Sequence, residues 1–131
     1  MTVTWGGDPE DVMITENGVS DDQPVTLMKE VFADARYRPD LLVLIDARRS
    51  DYTQVSSDLI GSRVDSLFSA IGVAPELRFA VVVGPSVEFG LWRAWGSMVE
   101  SRIGAQVQVT ESPEDARAWL GAEREERSRL R

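Results

Sequence analysis

The sequence contains neither cysteine nor histidine. Without cysteine, the chain forms no disulfide, no thiolate zinc site and no thiol nucleophile. Without histidine, it lacks the commonest general base and the commonest transition-metal ligand of proteins, and a Ser-His-Asp triad cannot be built. These absences favour a non-enzymatic protein, for which we assign no catalytic residue, no metal and no cofactor.

Positive charge is scarce and long apolar runs are missing. Lysine occurs once, at Lys29, and the formal net charge is -8. Nucleic acid and anionic membrane are therefore not expected partners, because a polyanion is repelled by such a surface. No apolar run approaches the roughly 20 residues of a membrane span, and the N-terminus lacks the basic and apolar regions of a signal peptide. We predict no membrane span and a cytoplasmic location.

The apolar residues that are present indicate five strands. "TVTW" and "VMITENG" flank the turn residues "GGDPED" and predict a hairpin. "LLVLIDA" and "RFAVVVG" are continuous apolar runs, which are typical of parallel strands buried on both faces. "AQVQVT" alternates between polar and apolar residues, which favours a position nearer an edge of the sheet.

Four helical segments separate or follow these strands. They lie within residues 20–36, from Ser56 or Ser57 to Gly72, from about Ser86 to Ile103, and after the capping residue Ser112. The order ββαβαβαβα predicts an α/β fold, with a mostly parallel mixed β-sheet, an N-terminal antiparallel hairpin and about four helices. The 131 residues favour one domain, here residues 1–121, with residues 122–131 as a charged C-terminal tail after Gly121.

Four segments carry a resemblance to a known family: "ARYRPDLLVLIDAR", "RFAVVVG", "FGLWRAW" and "SPEDARAWLG". Their succession resembles the small bacterial SpoIIAA-like proteins, also described as STAS/SEC14-domain proteins, over nearly the whole chain. The resemblance implies a mixed sheet wound as successive βα turns, and a regulatory or protein-interaction module. Relatives of that family include anti-sigma-factor antagonists, STAS modules of anion transporters and Sec14-type lipid carriers. Binding of a small apolar ligand or lipid is therefore the alternative function.

The resemblance also draws attention to two serines. Sigma-regulating STAS proteins place a phosphorylatable serine after an aspartate, at the start of the helix that follows the central strand. In this sequence Ser56 and Ser57 lie at that helix start, but Val55 precedes them and the Asp-Ser pair is missing. Phosphate at a helix N-terminus is favourable, and serine is also a preferred structural N-cap. Both roles stay open for these residues.

A carboxylate ends the first buried strand. Asp46 is followed closely by Arg48, and we interpret the pair as a loop cap or ion pair. The alternative is a magnesium site, in which Asp46 would be joined by Asp51, Asp58 and Glu88 at one rim of the sheet, since Mg²⁺ prefers oxygen ligands.

Three aromatic residues begin the third predicted helix. On a helical wheel Trp95 lies near the middle of the apolar arc, Trp92 lies toward its margin and Phe89 lies just beyond it. Trp95 is therefore predicted to be core. Phe89 and Trp92 are either covered by neighbouring elements or line a pocket or interface at the strand ends.

The candidate surface for a protein partner combines these positions: Asp46, Arg48, Ser56, Ser57, Phe89 and Trp92. A homodimer through an edge strand or through the Trp92 margin is a further interpretation.

Overall fold

A computed structural model describes residues 2–17, 30–49, 57–84 and 88–130. Its sheet has five strands in the order β1-β2-β3-β4-β5. The bounds are β1 Thr2–Trp5, β2 Val12–Asn17, β3 Leu42–Arg49, β4 Arg78–Val82 and β5 Gln106–Thr110. β1 pairs antiparallel with β2, and all other neighbouring pairs are parallel. The predicted α/β fold with an N-terminal antiparallel hairpin is confirmed.

Within the described ranges, four helices accompany the sheet. Residues 30–33 are helical (α1), and the others are α2 Ser57–Ile71, α3 Glu88–Arg102 and α4 Pro113–Arg129. Two of the predicted helix boundaries have clear chemistry. Gly72 follows α2 at φ +65°, a conformation that glycine adopts without steric cost. Ser112 caps α4, because its Oγ accepts a hydrogen bond from the Asp115 N–H at 3.2 Å.

β3 and β4 bury both of their faces, as their continuous apolar runs predicted. Val43, Ile45 and Ala47 of β3 point into a large core that also contains side chains of α1, α2 and α3. Leu42 and Leu44 point the other way, into a smaller cluster with Ala116 and Leu120 of α4. The sheet therefore lies between a layer of three helices and a layer formed by α4 (in the described part of the chain).

The C-terminal helix includes most of the charged segment. We expected the apolar part to stop at Gly121 and residues 122–131 to form a charged tail, in the form of a frayed or solvated helix. α4 continues through Gly121 to Arg129. Arg124 attaches this part of the helix, because it donates hydrogen bonds to the Pro9 carbonyl at 2.8 Å and to Asp11 Oδ1 at 2.7 Å.

Arg127 continues the same attachment one turn later. Its guanidinium donates to the carbonyl oxygens of Asp40 and Glu76, and its Nε donates to Glu123 at 3.0 Å. These bonds join α4 to the chain segments that lead into β3 and β4.

None of the described helices combines the length and the apolar character that a membrane span requires.

Candidate functional site

The Asp46–Arg48 pair is the part of the predicted surface that the structure brings together. Arg48 Nε and Nη2 donate to the two carboxylate oxygens of Asp46 at 2.9 and 2.8 Å, and the Arg48 backbone N–H donates to Oδ1 at 3.2 Å. The side-chain bond from Arg48 is the main reason that the pKa of Asp46 lies below its ordinary value, while partial burial opposes the shift. The geometry agrees with the ion-pair interpretation, and both residues lie within β3.

The other polar positions of the prediction are described only in part. Ser56 and Asp51 lie outside the described residues, and so do the side chains of Ser57 and Glu88. α2 does begin at Ser57, as the sequence predicted. Asp58 is exposed. Among the described residues, no group of three or more acidic side chains is placed to hold a metal ion.

The aromatic residues of α3 serve mainly the core. Trp95 is 4% exposed and Trp92 is 6% exposed, and their rings meet edge to face with centroids 5.2 Å apart. Trp95 also meets Phe79 of β4 edge to face, at 5.3 Å. Phe89 is partly buried against the same core, with Arg93 Cζ 5.9 Å from its ring centroid. Of the Phe89–Trp92 pair, only Phe89 offers appreciable surface to a ligand.

The described sheet has a simple strand order, which bears on where a ligand crevice could form. In open α/β sheets, ligand crevices form where the strand order reverses and successive connections leave on opposite faces. Here β2 to β5 are adjacent in chain order. The described parts of α1, α2 and α3 all contribute to one core on one face. The described strands therefore contain no such reversal.

A different feature stands out along β5. Among the described strands, β5 pairs with β4 alone, so its other edge is open to any further strand. A groove of about 710 Å³ runs beside that edge. It is lined by Arg93, Ser97 and Glu100 of α3, residues 106–109 of β5, and Trp119 of α4.

The peptide groups of β5 alternate between β4 and the groove. The Gln106 N–H donates to the Leu77 carbonyl, and the Thr110 carbonyl accepts from the Val83 N–H, so these two residues face β4. Strand geometry then turns the N–H and C=O groups of Val107 and Val109 outward, into the groove. An open edge of this kind is a template for pairing with another strand.

One of these outward groups is already satisfied within the chain. The Val107 N–H donates to Glu100 Oε1 at 3.0 Å. A charged side chain over the edge is one way in which proteins protect an unpaired strand from indiscriminate pairing. Glu100 therefore covers the Val107 end of the strand edge.

The depth of the groove depends on how closely α3 approaches β5. An added Cβ at Gly96 would lie 2.9 Å from Val107 Cγ1, which is closer than carbon atoms pack. Glycine permits this approach because it has no side chain. Gly96 therefore sets the short distance between α3, which forms the wall of the groove, and β5. Arg93, Ser97 and Glu100 then form a polar stripe along the wall at spacings of four and three residues, since such positions share a helix face.

The sequence contained part of the signal for this groove. The alternation in "AQVQVT" predicted a strand nearer an edge, and β5 is at the edge. The stripe of Arg93, Ser97 and Glu100 also shows helical spacing. The contribution of Trp119 was missed, because its position against β5 depends on α4 crossing to the opposite face of the sheet.

Comparisons with known proteins identify no relative: no family model matches the chain, no curated protein matches it, and no solved structure matches it.

Proposed function

We propose that this chain is a protein-interaction module that binds an extended strand of a partner along the open edge of β5. The observation that carries this proposal is the row of outward peptide groups at Val107 and Val109, which lies in a groove between α3 and α4. Binding by strand addition uses main-chain hydrogen bonds for affinity and the flanking side chains for specificity. The groove supplies both kinds of group.

The walls of the groove suit a peptide better than an apolar ligand. Arg93, Glu100, Gln106 and Gln108 are polar, and Trp119 adds one half-buried aromatic ring. Aromatic rings and arginine are enriched in protein interfaces, where a single side chain contributes both contact area and hydrogen bonds.

Three expectations from the sequence are also part of this proposal. Membership of the SpoIIAA-like family, the absence of an enzymatic activity and a cytoplasmic location stay predictions. The ββαβαβαβα element order agrees with the fold that the resemblance implies. The alternative of a small apolar ligand or lipid depended on an exposed Phe89–Trp92 margin, and the burial of Trp92 gives it no support.

Photo-crosslinking in living cells tests the binding edge directly. The exposed residue Gln106 is replaced by a photoreactive phenylalanine in the full chain, expressed in cells of its native host. We expect a covalent adduct with a protein. The same replacement at Val73, which is 71% exposed but lies in the α2–β4 connection, serves as the matched control and is expected to give none.

A second variant connects the adduct to main-chain pairing. Val109→Pro removes an outward N–H without removing a bond to β4, a substitution that edge strands tolerate. The crosslink from position 106 should disappear in this variant, with an unchanged circular dichroism spectrum. Absence of any adduct at position 106, or an adduct that survives Val109→Pro in the folded protein, would show that β5 does not bind a strand.

A further inference from the structure

We infer that the strand bound at β5 is β5 of a second copy of this chain, paired antiparallel about a two-fold axis at Gln108. This inference rests on the proposed function, because it names the partner of the same edge. Three features of the groove support it: the register of the outward peptide groups, the order of charges along α3, and the way in which Glu100 covers the edge.

The register is self-complementary. In an antiparallel pair centred on Gln108, Val107 of one copy lies opposite Val109 of the other. These are the residues whose N–H and C=O groups point outward, so each such pair exchanges two hydrogen bonds. The two-fold axis produces this pair twice. The two Gln108 side chains then lie directly opposite each other in the non-bonded position, where side chains approach most closely.

The charges on α3 follow the same symmetry. Glu100 lies beside Val107, as their 3.0 Å hydrogen bond shows. Arg93 is seven residues earlier, about 10 Å along the helix axis, and lines the same groove. Because α3 and β5 are successive elements that run in opposite directions, Arg93 lies toward the Val109 end of the strand. A two-fold rotation therefore brings Arg93 of each copy opposite Glu100 of the other.

Arg93 is available for such a contact. Its guanidinium lies 5.9 Å from the Phe89 ring centroid, and none of the ion pairs among the described residues includes it. In the single chain, the groove thus presents an exposed cation near one end and a carboxylate near the other. Symmetric interfaces require this kind of self-complementary patch.

Glu100 makes the pairing selective. In the single chain its carboxylate accepts from the Val107 N–H. On pairing, that N–H donates instead to the Val109 carbonyl of the other copy, and the released carboxylate meets Arg93 of that copy. The Val107 N–H and the Glu100 carboxylate each exchange one partner for another, and neither is left unpaired. A strand without a cation at this place would gain no such ion pair, which favours the second copy over other strands.

The local attraction must act against overall repulsion, because each copy carries a net charge of -8. At an ionic strength of about 0.15 M the Debye length is about 8 Å, so distant charges are screened while neighbouring groups still interact. The association should therefore be measured near this salt concentration.

Sedimentation equilibrium of the full chain and four charge variants tests the pairing. Over about 1–200 μM protein, the unmodified chain should fit a monomer–dimer equilibrium. Arg93→Glu and Glu100→Arg each turn two attractive contacts into repulsive ones. Each is expected to raise the dissociation constant about tenfold or more. The double variant Arg93→Glu/Glu100→Arg restores opposite charges and should return to within about threefold of the unmodified chain.

Arg36→Glu provides the matched control. It changes the net charge by the same amount as Arg93→Glu, but Arg36 lies against Trp5 of β1 at the opposite edge of the sheet. Its dissociation constant should stay near that of the unmodified chain. Monomer at every concentration, or equal weakening by Arg36→Glu and Arg93→Glu, or failure of the double variant to recover, would each overturn the inference.

The crosslinking experiment separates this inference from the proposed function. A crosslinked adduct at position 106 that consists of two copies of this chain supports both. An adduct with a different protein, lost in Val109→Pro, overturns the second copy as the partner and leaves strand binding at β5 intact. No adduct at all contradicts both proposals.

Discussion

Every ion pair among the described residues uses an arginine, and the pairs differ in how far apart their partners lie in the sequence. Arg36–Asp34 and Arg48–Asp46 join residues two positions apart and lie largely at the surface. Exposed pairs of this kind contribute at most about 1 kcal/mol to stability. Arg124–Asp11 joins residues from opposite ends of the chain and so holds separate elements together.

The ionisation of Asp46 provides a test at the residue scale. Because the bond from Arg48 lowers the folded-state pKa of Asp46 below its ordinary value of 3.8, the pair contributes to stability above that pH. The contribution is lost as the pH falls through the lowered pKa. In Arg48→Gln, we expect the pKa of Asp46 to rise, because the side-chain bond that is the largest cause of the lowering is lost while partial burial still opposes ionisation. Carboxyl carbon NMR titration measures it.

Arg49→Gln is the control for this titration. It removes the same charge one residue further along, and the charge of Arg49 is the weakest cause of the shift. The pKa of Asp46 should change less in Arg49→Gln than in Arg48→Gln. Equal changes would show that general charge, and not the bidentate bond, lowers the pKa.

A pair of glycine substitutions tests the close approach of α3 to β5. Gly61→Ala in α2 should stabilise the protein by about 0.5–1 kcal/mol, because the added Cβ meets no described group outside its own helix backbone within 4 Å and alanine favours helices. Gly96→Ala gains the same propensity but forces Val107 to move. Overpacking costs about 1–3 kcal/mol, so we expect net destabilisation of about 1 kcal/mol. Urea unfolding measures both; stabilisation by both would contradict the Gly96–Val107 contact.

At the scale of elements, prediction from sequence succeeded where a pattern is local. The runs "LLVLI" and "FAVVV" indicated buried parallel strands, and β3 and β4 are the strands buried on both faces. Ser112 and Gly72 marked helix ends through chemistry within one turn. The groove beside β5 was not predicted, because α3, β5 and α4 create it only after they pack together.

The end of α4 is a second feature that a local sequence pattern does not predict. Residues 122–131 are rich in charge, which is typical of a solvated tail. The carbonyl groups that bind Arg124 and Arg127 belong to Pro9, Asp40 and Glu76, far away in sequence. Composition alone carries no information about such partners. The segment is therefore part of the folded unit through hydrogen bonds and not through apolar periodicity.

Two arginines on α4 test this attachment at the element scale. The Arg127 side chain is 19% exposed and donates to Asp40, Glu76 and Glu123. Arg127→Met leaves two carbonyl groups without their donor, and we expect a loss of about 1–3 kcal/mol in the free energy of unfolding. Arg129→Met, where the side chain is 75% exposed, should change it by less than about 0.5 kcal/mol. Similar effects of both substitutions in urea unfolding would show that the last turns of α4 are not docked.

At the scale of the whole molecule, the two apolar clusters share the same strands. β3 and β4 contribute Val43, Ile45, Phe79 and Val81 to the large core. The residues between them, Leu42, Leu44, Ala80 and Val82, enter the cluster under α4. If the helices on one face unfolded, they would expose apolar side chains of the same strands that form the cluster on the other face. We therefore expect the described sheet and its helices to unfold as one cooperative unit.

Leu120→Ala tests this cooperativity, because Leu120 of α4 is fully buried against one face of the sheet while Trp92 and Trp95 lie on the opposite face. Truncating a buried leucine costs about 2–5 kcal/mol. The measurement is made in a background that carries Trp5→Phe and Trp119→Phe, so that the fluorescence comes from Trp92 and Trp95 alone. Under one-unit unfolding, the midpoint of tryptophan fluorescence and that of far-ultraviolet circular dichroism should fall together. Leu130→Ala is the same substitution at a position that is 79% exposed, and it should leave both midpoints nearly unchanged. If Leu120→Ala lowered only the dichroism midpoint, the fluorescence of Trp92 and Trp95 would survive the unfolding of α4. That result would mean that α4 unfolds by itself and that the two faces of the sheet are independent.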